Sequence, residues 1–287
     1  MPTMNQIVDT VLAEIQGSAT VDPSTYLTAG VTASATSFLV ADATNFSRGI
    51  IGINNELIFI DSVDKATNTL TCGNVSGRGI RGTDAATHAL GDRVVMNPSI
   101  PRSRAVDAVE ETLTSSTGLF AVTTTSFVRL ASVYGYSMPA AAETVLDVSW
   151  MPSGDSNDYL SVRRWNYDRY AGQIVLYDLI EPGTTVTVTY TFSPTMPSDL
   201  SSDFSETGLP NSCVDVIRFG AAWRLSSFIE PGNLLAKRAE ANAVGDQRSM
   251  TPRLRVSEYL YGMYRTRLLE EVTNLQRLYP IKVHFGR

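Results

Sequence analysis

At 287 residues, with 43% hydrophobic and 18% charged side chains, the chain is long enough to bury a full core and has a globular composition. No run of about twenty apolar residues is present to span a bilayer, and Met1–Gly17 lacks a basic stretch followed by an apolar one, which argues against a cleaved secretory signal and predicts synthesis in the cytoplasm. The net charge of −6 is unevenly placed: Leu209–Arg287 carries twelve basic and seven acidic residues, a basic module on an acidic body that suits an acidic surface, nucleic acid, or arginines paired with neighbouring carboxylates.

In chain order, Met4–Ile15 spaces Ile7, Val8, Val11, Leu12 and Ile15 as one face of a short amphipathic helix, placed in an N-terminal segment 1–18. From Tyr26 the pattern changes to short β-runs at Ser37–Val40, Gly49–Ile53, Glu56–Val63, Thr69–Cys72 and Arg93–Met96, separated by dense turn residues. A small antiparallel β-domain, barrel or sandwich, is expected over 25–100. Val106, Val109 and Leu113 mark a connecting helix within 101–117. Strands then return at 121–122, 127–130, 144–150, 160–162, 173–179 and 184–192; the last alternates valine and aromatic residues with threonines, as a half-buried strand does. They predict a second β-sandwich over 118–194.

A Ser-, Thr- and Pro-rich stretch, 195–210, reads as a linker to a helical core, 211–280. Its first helix spans about Asn211 to Ile229 with Val214, Ile217, Ala221, Leu225 and Phe228 as its stripe. A second, small-faced helix covers about Asn233–Val244, and a long third runs from Thr251–Pro252 to Tyr279. The third carries two apolar faces, Val256–Leu260–Met263 and Tyr261–Tyr264–Leu268–Val272–Leu275–Tyr279, so Tyr261, Tyr264, Leu268, Val272 and Leu275 are expected at a contact between subunits. Beyond Pro280, the tail 281–287 alternates Ile281, Val283 and Phe285 with Lys282 and His284, a pattern that suits either an added strand or a disordered end. The fold class expected is α+β: a C-terminal helical bundle with a long helix, plus two small antiparallel β-domains.

The chemistry-bearing motifs are sparse. Gly77-Arg78-Gly79-Ile80-Arg81-Gly82 spells the dinucleotide fingerprint, but residues 83–91 show no helical stripe and no βαβ unit surrounds it. His88 and His284 are the only histidines, and neither has a convincing partner set. No Gly-x-Ser-x-Gly elbow, phosphate-cradling loop or zinc-binding helix occurs. Asp155 and Asp158 read as a solvated turn, and Cys72 and Cys213 as separate buried thiols. No cofactor, metal or catalytic residue is assigned, and enzyme activity is not expected.

The stretch Leu27–Val95 resembles a β-module that recurs in structural proteins of tailed bacteriophages. The matching residues are Phe38-Leu39-Val40, Gly49, Ile51 to Glu56, Leu70-Thr71, Arg78-Gly79, Gly82-Thr83, Ala85-Ala86, His88 and Gly91. Arg78, Gly79, Gly82, Thr83 and His88 are expected to tie a long loop to the module by turns and hydrogen bonds. The helical end resembles the cores of head–tail connector proteins by architecture alone. That resemblance implies a virion protein: a homo-oligomeric, twelve-fold ring that joins the capsid portal to a downstream neck or tail protein, surrounds the DNA channel with non-specific contacts, and has no membrane partner. It also implies that the tail, through Ile281, Val283, Phe285 and Arg287, docks on the portal protein. Two other readings stay open. A tail-fibre or baseplate protein would bind host glycans through Tyr134, Tyr136, Tyr159, Trp165, Tyr167, Tyr170 and Tyr177, and a cell-wall hydrolase would use paired carboxylates.

Overall fold

The computed structural model describes residues 1–16, 22–152, 159–226 and 251–280. The chain is mixed α+β, with four small antiparallel sheets, none closed into a barrel, and helices at its C-terminal end. Two compact units are separable. One comprises residues 5–111 and 218–261, the other residues 1–4, 112–217 and 262–287.

The first unit holds strands β1 (Ser24–Tyr26), β2 (Ser37–Leu39), β3 (Gly49–Ile53), β4 (Glu56–Ile60), β5 (Ser62–Asp64), β6 (Thr69–Thr71) and β7 (Arg93–Met96). They form a sheet ordered β1-β7-β3-β4 and a second ordered β2-β6-β5. Phe38, Ile51, Ile53, Ile58, Ile60, Leu70 and Val94, contributed by both sheets, are fully buried in one core. The run Glu56–Val63, which reads as a single strand, divides at Asp61: β4 pairs with β3, and β5 with β6. Asp61 holds this corner, its N–H donating to Thr71 O (2.9 Å) while its carboxylate accepts from Gly73 N–H (2.7 Å). The β3–β4 hairpin turns at Asn54-Asn55, with Asn54 at φ 51°, a left-handed conformation that asparagine tolerates better than most residues.

Helix α1 (Met4–Gln16) buries Ile7, Val8 and Val11, as its spacing predicts. Helix α2 (Arg102–Ser115) opens with Arg102, whose guanidinium donates to Asp9, Asn5 and Asn55 and so pins α1 and the β3–β4 turn.

The other unit holds β8 (Ala121–Val128), β9 (Gly135–Ser137), β10 (Thr144–Trp150), β11 (Leu160–Ser161), β12 (Trp165–Asp168), β13 (Gln173–Leu176) and β14 (Thr185–Phe192). Their sheets are ordered β11-β10-β14-β8 and β12-β13-β9 around a shared core that includes Val145, Val148, Ile174, Leu176, Val186 and Val188. The two fragments expected at 121–122 and 127–130 are one strand, because β8 pairs with β14 along its whole length. Strands β9 and β12 are only three and four residues long, too short for their own pattern to mark them, and both pair with β13.

The stretch 195–210 is not a linker. Phe204, Thr207 and Leu209 are buried, Phe204 N–H donates to Pro2 O, and Met4 N–H donates to Ser202 O, each at 3.0 Å. Its serines and prolines mask two core residues. After a turn at Asn211–Cys213, helix α3 (214–226) buries Val216, Ile217, Ala221, Ala222 and Leu225. Helix α4 (Thr251–Leu278) has 28 residues and is therefore roughly 42 Å long. Among the described residues no helix is long and apolar enough to cross a membrane. The helix expected at Asn233–Val244, the turn with Asp155 and Asp158, and the tail 281–287 lie outside the described residues.

Candidate functional site

Four of the residues that carry the β-module resemblance, Arg78, Gly79, Ala86 and His88, converge on one buried carboxylate. Glu56 begins β4 directly after the hairpin turn, which sends its side chain inward, and the loop from Gly73 to Gly91 folds over it. Arg78 and Glu56 are both fully buried and form a two-pronged ion pair, Nε to Oε1 at 2.6 Å and Nη2 to Oε2 at 2.8 Å. Three more donors reach the same carboxylate: Gly79 N–H at 3.1 Å on Oε1, then Ala86 N–H at 3.0 Å and His88 Nε2 at 2.7 Å on Oε2. His88 Nε2 thus carries its hydrogen. The remaining donors of Arg78 go to the carbonyls of Thr32, Ala35 and Ala86, and its guanidinium lies 5.2 Å from the centre of the Phe38 ring.

Burial by itself would push the Glu56 carboxyl up. The hydrogen bonds from Arg78, His88 and Ala86, together with the Arg78 charge, outweigh it and hold the carboxyl at about 2. All five N–H groups of Arg78 are used, and both Glu56 oxygens are engaged by donors. A carboxylate so occupied and so hard to protonate is a poor proton acceptor. The arrangement is a structural knot that locks a long loop onto the sheet.

The backbone of that loop supports the same reading. Gly79 sits at φ 61°, where a Cβ would come within 2.8 Å of Thr83 O and 2.9 Å of Ala85 N, so only glycine fits. Thr83 Oγ1 accepts from Leu57 N–H (3.0 Å) and donates to Ile80 O (2.9 Å). Gly82 and Gly91 are also left-handed. Residues 75–82 form two 3₁₀ turns, so the glycine fingerprint offers no helix N-terminus to a pyrophosphate. A surface cleft of about 360 Å³ adjoins the knot, lined in part by Asn54, Asn55, Thr83, Asp84, Ser103 and Asp107. His88 Nδ1 is buried without a hydrogen-bond partner; its nearest acid, Asp92, lies 3.8 Å away and is occupied by Asn54 and Ala89. Sequence reasoning placed Arg78, Gly79, Gly82, Thr83 and His88 in this loop but missed Glu56 as the hub. The signal available was a lone acidic residue opening an otherwise apolar strand.

The second β-module holds a buried arginine of another kind. Arg129 Nη1 donates to the carbonyls of Leu130 and Val133 and to Tyr136 Oη (3.0 Å), closing the turn between β8 and β9. Tyr136 is buried and stacks on Phe127 with ring centres 4.0 Å apart. Trp165 and Tyr167 are partly buried against the same core, whereas Tyr134, Tyr159, Tyr170 and Tyr177 are exposed. The aromatic set therefore splits into core and surface.

On α4, Tyr264 and Leu275 are buried within the chain's own fold, and Leu268 and Val272 are half-buried. Tyr264 Oη meets Ser116 Oγ at 3.1 Å, Val272 packs on Gly118, and Glu271 accepts from Ser212 Oγ at 2.6 Å. Of the two apolar faces read from the sequence, Leu260, Tyr264 and Leu275 are buried and Val256 is exposed, so Tyr264 and Leu275 are already covered by the chain's own residues. Tyr259, Tyr261, Leu269 and Tyr279 remain exposed. Both cysteines are free and buried; burial, with the neighbouring Glu271 charge, pushes the Cys213 thiol up to about 12. Among the described residues no group of three His, Cys, Asp or Glu side chains is placed to hold a metal ion. No protein-family model matches the sequence, and no curated protein matches it.

Proposed function

We propose that this chain is a non-enzymatic structural protein of a tailed-bacteriophage particle, a homo-oligomeric ring at the head–tail junction between the capsid portal and the tail. The observation that carries the reading is the knot: Glu56, Arg78, Thr83 and His88, among the side chains through which the first module resembles phage structural modules, are spent on holding the loop to the sheet. Glu56, Arg78 and His88 bind each other and the loop backbone, leaving a stiff display unit rather than a reacting centre. The long α4 with Tyr259 and Leu269 still exposed supports self-association, since large apolar side chains on a helix of this length favour a covering partner. The surplus of arginine in the C-terminal segment suits contacts with acidic protein surfaces or a DNA channel.

The test is the mass of the purified full chain across concentration, by mass photometry and negative-stain imaging, followed by co-sedimentation with portal rings. Closed rings that bind portals are expected; a chain monomeric at every concentration refutes the reading. A second reading, a fibre or baseplate protein that binds host glycans, is favoured by the exposed Tyr134, Tyr159, Tyr170 and Tyr177. Retention on a glycan array that is lost in Tyr134→Ala and Tyr177→Ala variants would select it.

A further inference from the structure

We infer that the free edge of β8 accepts an extended strand from a second copy of this chain, namely its C-terminal segment 281–287; the inference rests on the ring reading above. β8 stands last in its sheet and pairs with β14 over all eight residues without a register shift. Arg129 N–H donates to Thr184 O, and on the opposite side of β14 Glu143 N–H donates to Thr191 O. With the register Val128↔Thr185, this alternation turns the N–H and C=O groups of Val122, Thr124, Ser126 and Val128 away from β14. Among the described residues no strand pairs with that edge, and Thr124, Ser126 and Val128 are exposed. Proteins ordinarily guard such an edge with lysine, proline, a bulge or a short strand. Ala-Val-Thr-Thr-Thr-Ser-Phe-Val has none of these.

The occupant follows from pattern, length and symmetry. Ile281, Val283 and Phe285 alternate with Lys282 and His284 over five residues of a seven-residue segment, against eight residues in β8. Added to the edge, the three apolar side chains would extend the face on which Phe127 is only partly buried, and Lys282 and His284 would lie with Thr124 and Ser126 on the wet face. A closed ring requires each copy to present two different surfaces, a donor and an acceptor. A terminal strand laid on a neighbour's edge meets that requirement, whereas β8 paired with β8 about a twofold axis stops at a dimer. One strand serves one edge, so this assignment takes the tail away from the portal.

Three variants of the full chain test it: deletion of 281–287, Thr124→Pro, and the pair Ser126→Cys with His284→Cys, two positions on the same wet face, with Ser126→Cys alone as control. Proline at 124 removes only an outward N–H, so the β8–β14 ladder and the thermal midpoint of the subunit should persist. The expected results are loss of rings in the first two variants with unchanged circular dichroism, and a ladder of cross-linked multimers in the oxidised pair on a non-reducing gel. The inference is overturned if rings survive the deletion or Thr124→Pro, if the paired cysteines link only within one chain, or if Ser126→Cys alone yields dimers. A wild-type chain that never forms rings overturns the ring reading and this inference together, while rings that persist in the variants overturn this inference alone.

Discussion

Glu56 shows how a buried charge becomes a specification of structure. Removing one partner of a fully buried ion pair strands the other, at a cost of about 3–5 kcal/mol. Glu56→Gln should lower stability at pH 7 by that order, measured by urea unfolding. The pH dependence has a definite sign. The folded carboxyl titrates at about 2, below the ordinary 4.5, so the unfolded chain takes up the proton first as pH falls. The stabilisation is complete above about pH 4.5 and drains away between 4.5 and 2, by roughly 3 kcal/mol. The exposed aspartates Asp42, Asp64 and Asp199, whose carboxyls are also held below their usual range by hydrogen bonds, persist in the variant. The difference between wild type and Glu56→Gln across that window therefore isolates Glu56, and an identical acid limb in both proteins would remove it from this role. Gly79 and Gly82 form a second pair of tests. Both have positive φ, but only at Gly79 would a Cβ strike backbone atoms. Gly79→Ala should cost about 1–3 kcal/mol and Gly82→Ala clearly less, by thermal or urea melts.

At the scale of elements, the periodic segments declared themselves and the irregular ones did not. Alternation located β14, and the spacing of Ile7, Val8 and Val11 located α1, because each element buries one face against a neighbour. Strands β9 and β12 escaped, since three or four residues are too few for alternation to stand out, and it is the pairing with β13 that reveals them. The stretch 195–210 was misread as a linker because averaged polarity hides single buried residues. Phe204 is fully buried there, and Phe204→Ala should lower stability by about 3–5 kcal/mol, seen as a drop in the urea midpoint. A true linker would tolerate that change with no measurable loss.

For the whole molecule, the proposed ring has a second surface to draw on beside the edge of β8, the outward side of α4. Its inward side meets Ser116, Gly118 and Ser212, so on this helix only the outward side is open to the proposed association between copies. Leu269 is 59% exposed, and a charge there costs the subunit little, within about 0.5 kcal/mol for an ordinary surface position. In the proposed ring Leu269→Glu is expected to shift assembly towards monomers at unchanged thermal midpoint. Rings of unaltered concentration dependence would show that the contact between copies lies elsewhere.

The amino-acid sequence by itself determined the α+β class, the two β-modules, the helical end and the residues of the glycine-rich loop, because hydrophobic period and turn chemistry are local properties. Only the tertiary structure decided that Glu56 is the hub of that loop, that Glu56–Val63 changes sheets at Asp61, and that Tyr264 and Leu275 face inward. Each of those depends on partners brought from far along the chain: Arg78 and His88 for Glu56, Thr71 and Gly73 for Asp61, and Ser116 for Tyr264. A one-dimensional pattern shows that a face is apolar, but what covers the face is settled by the folded chain.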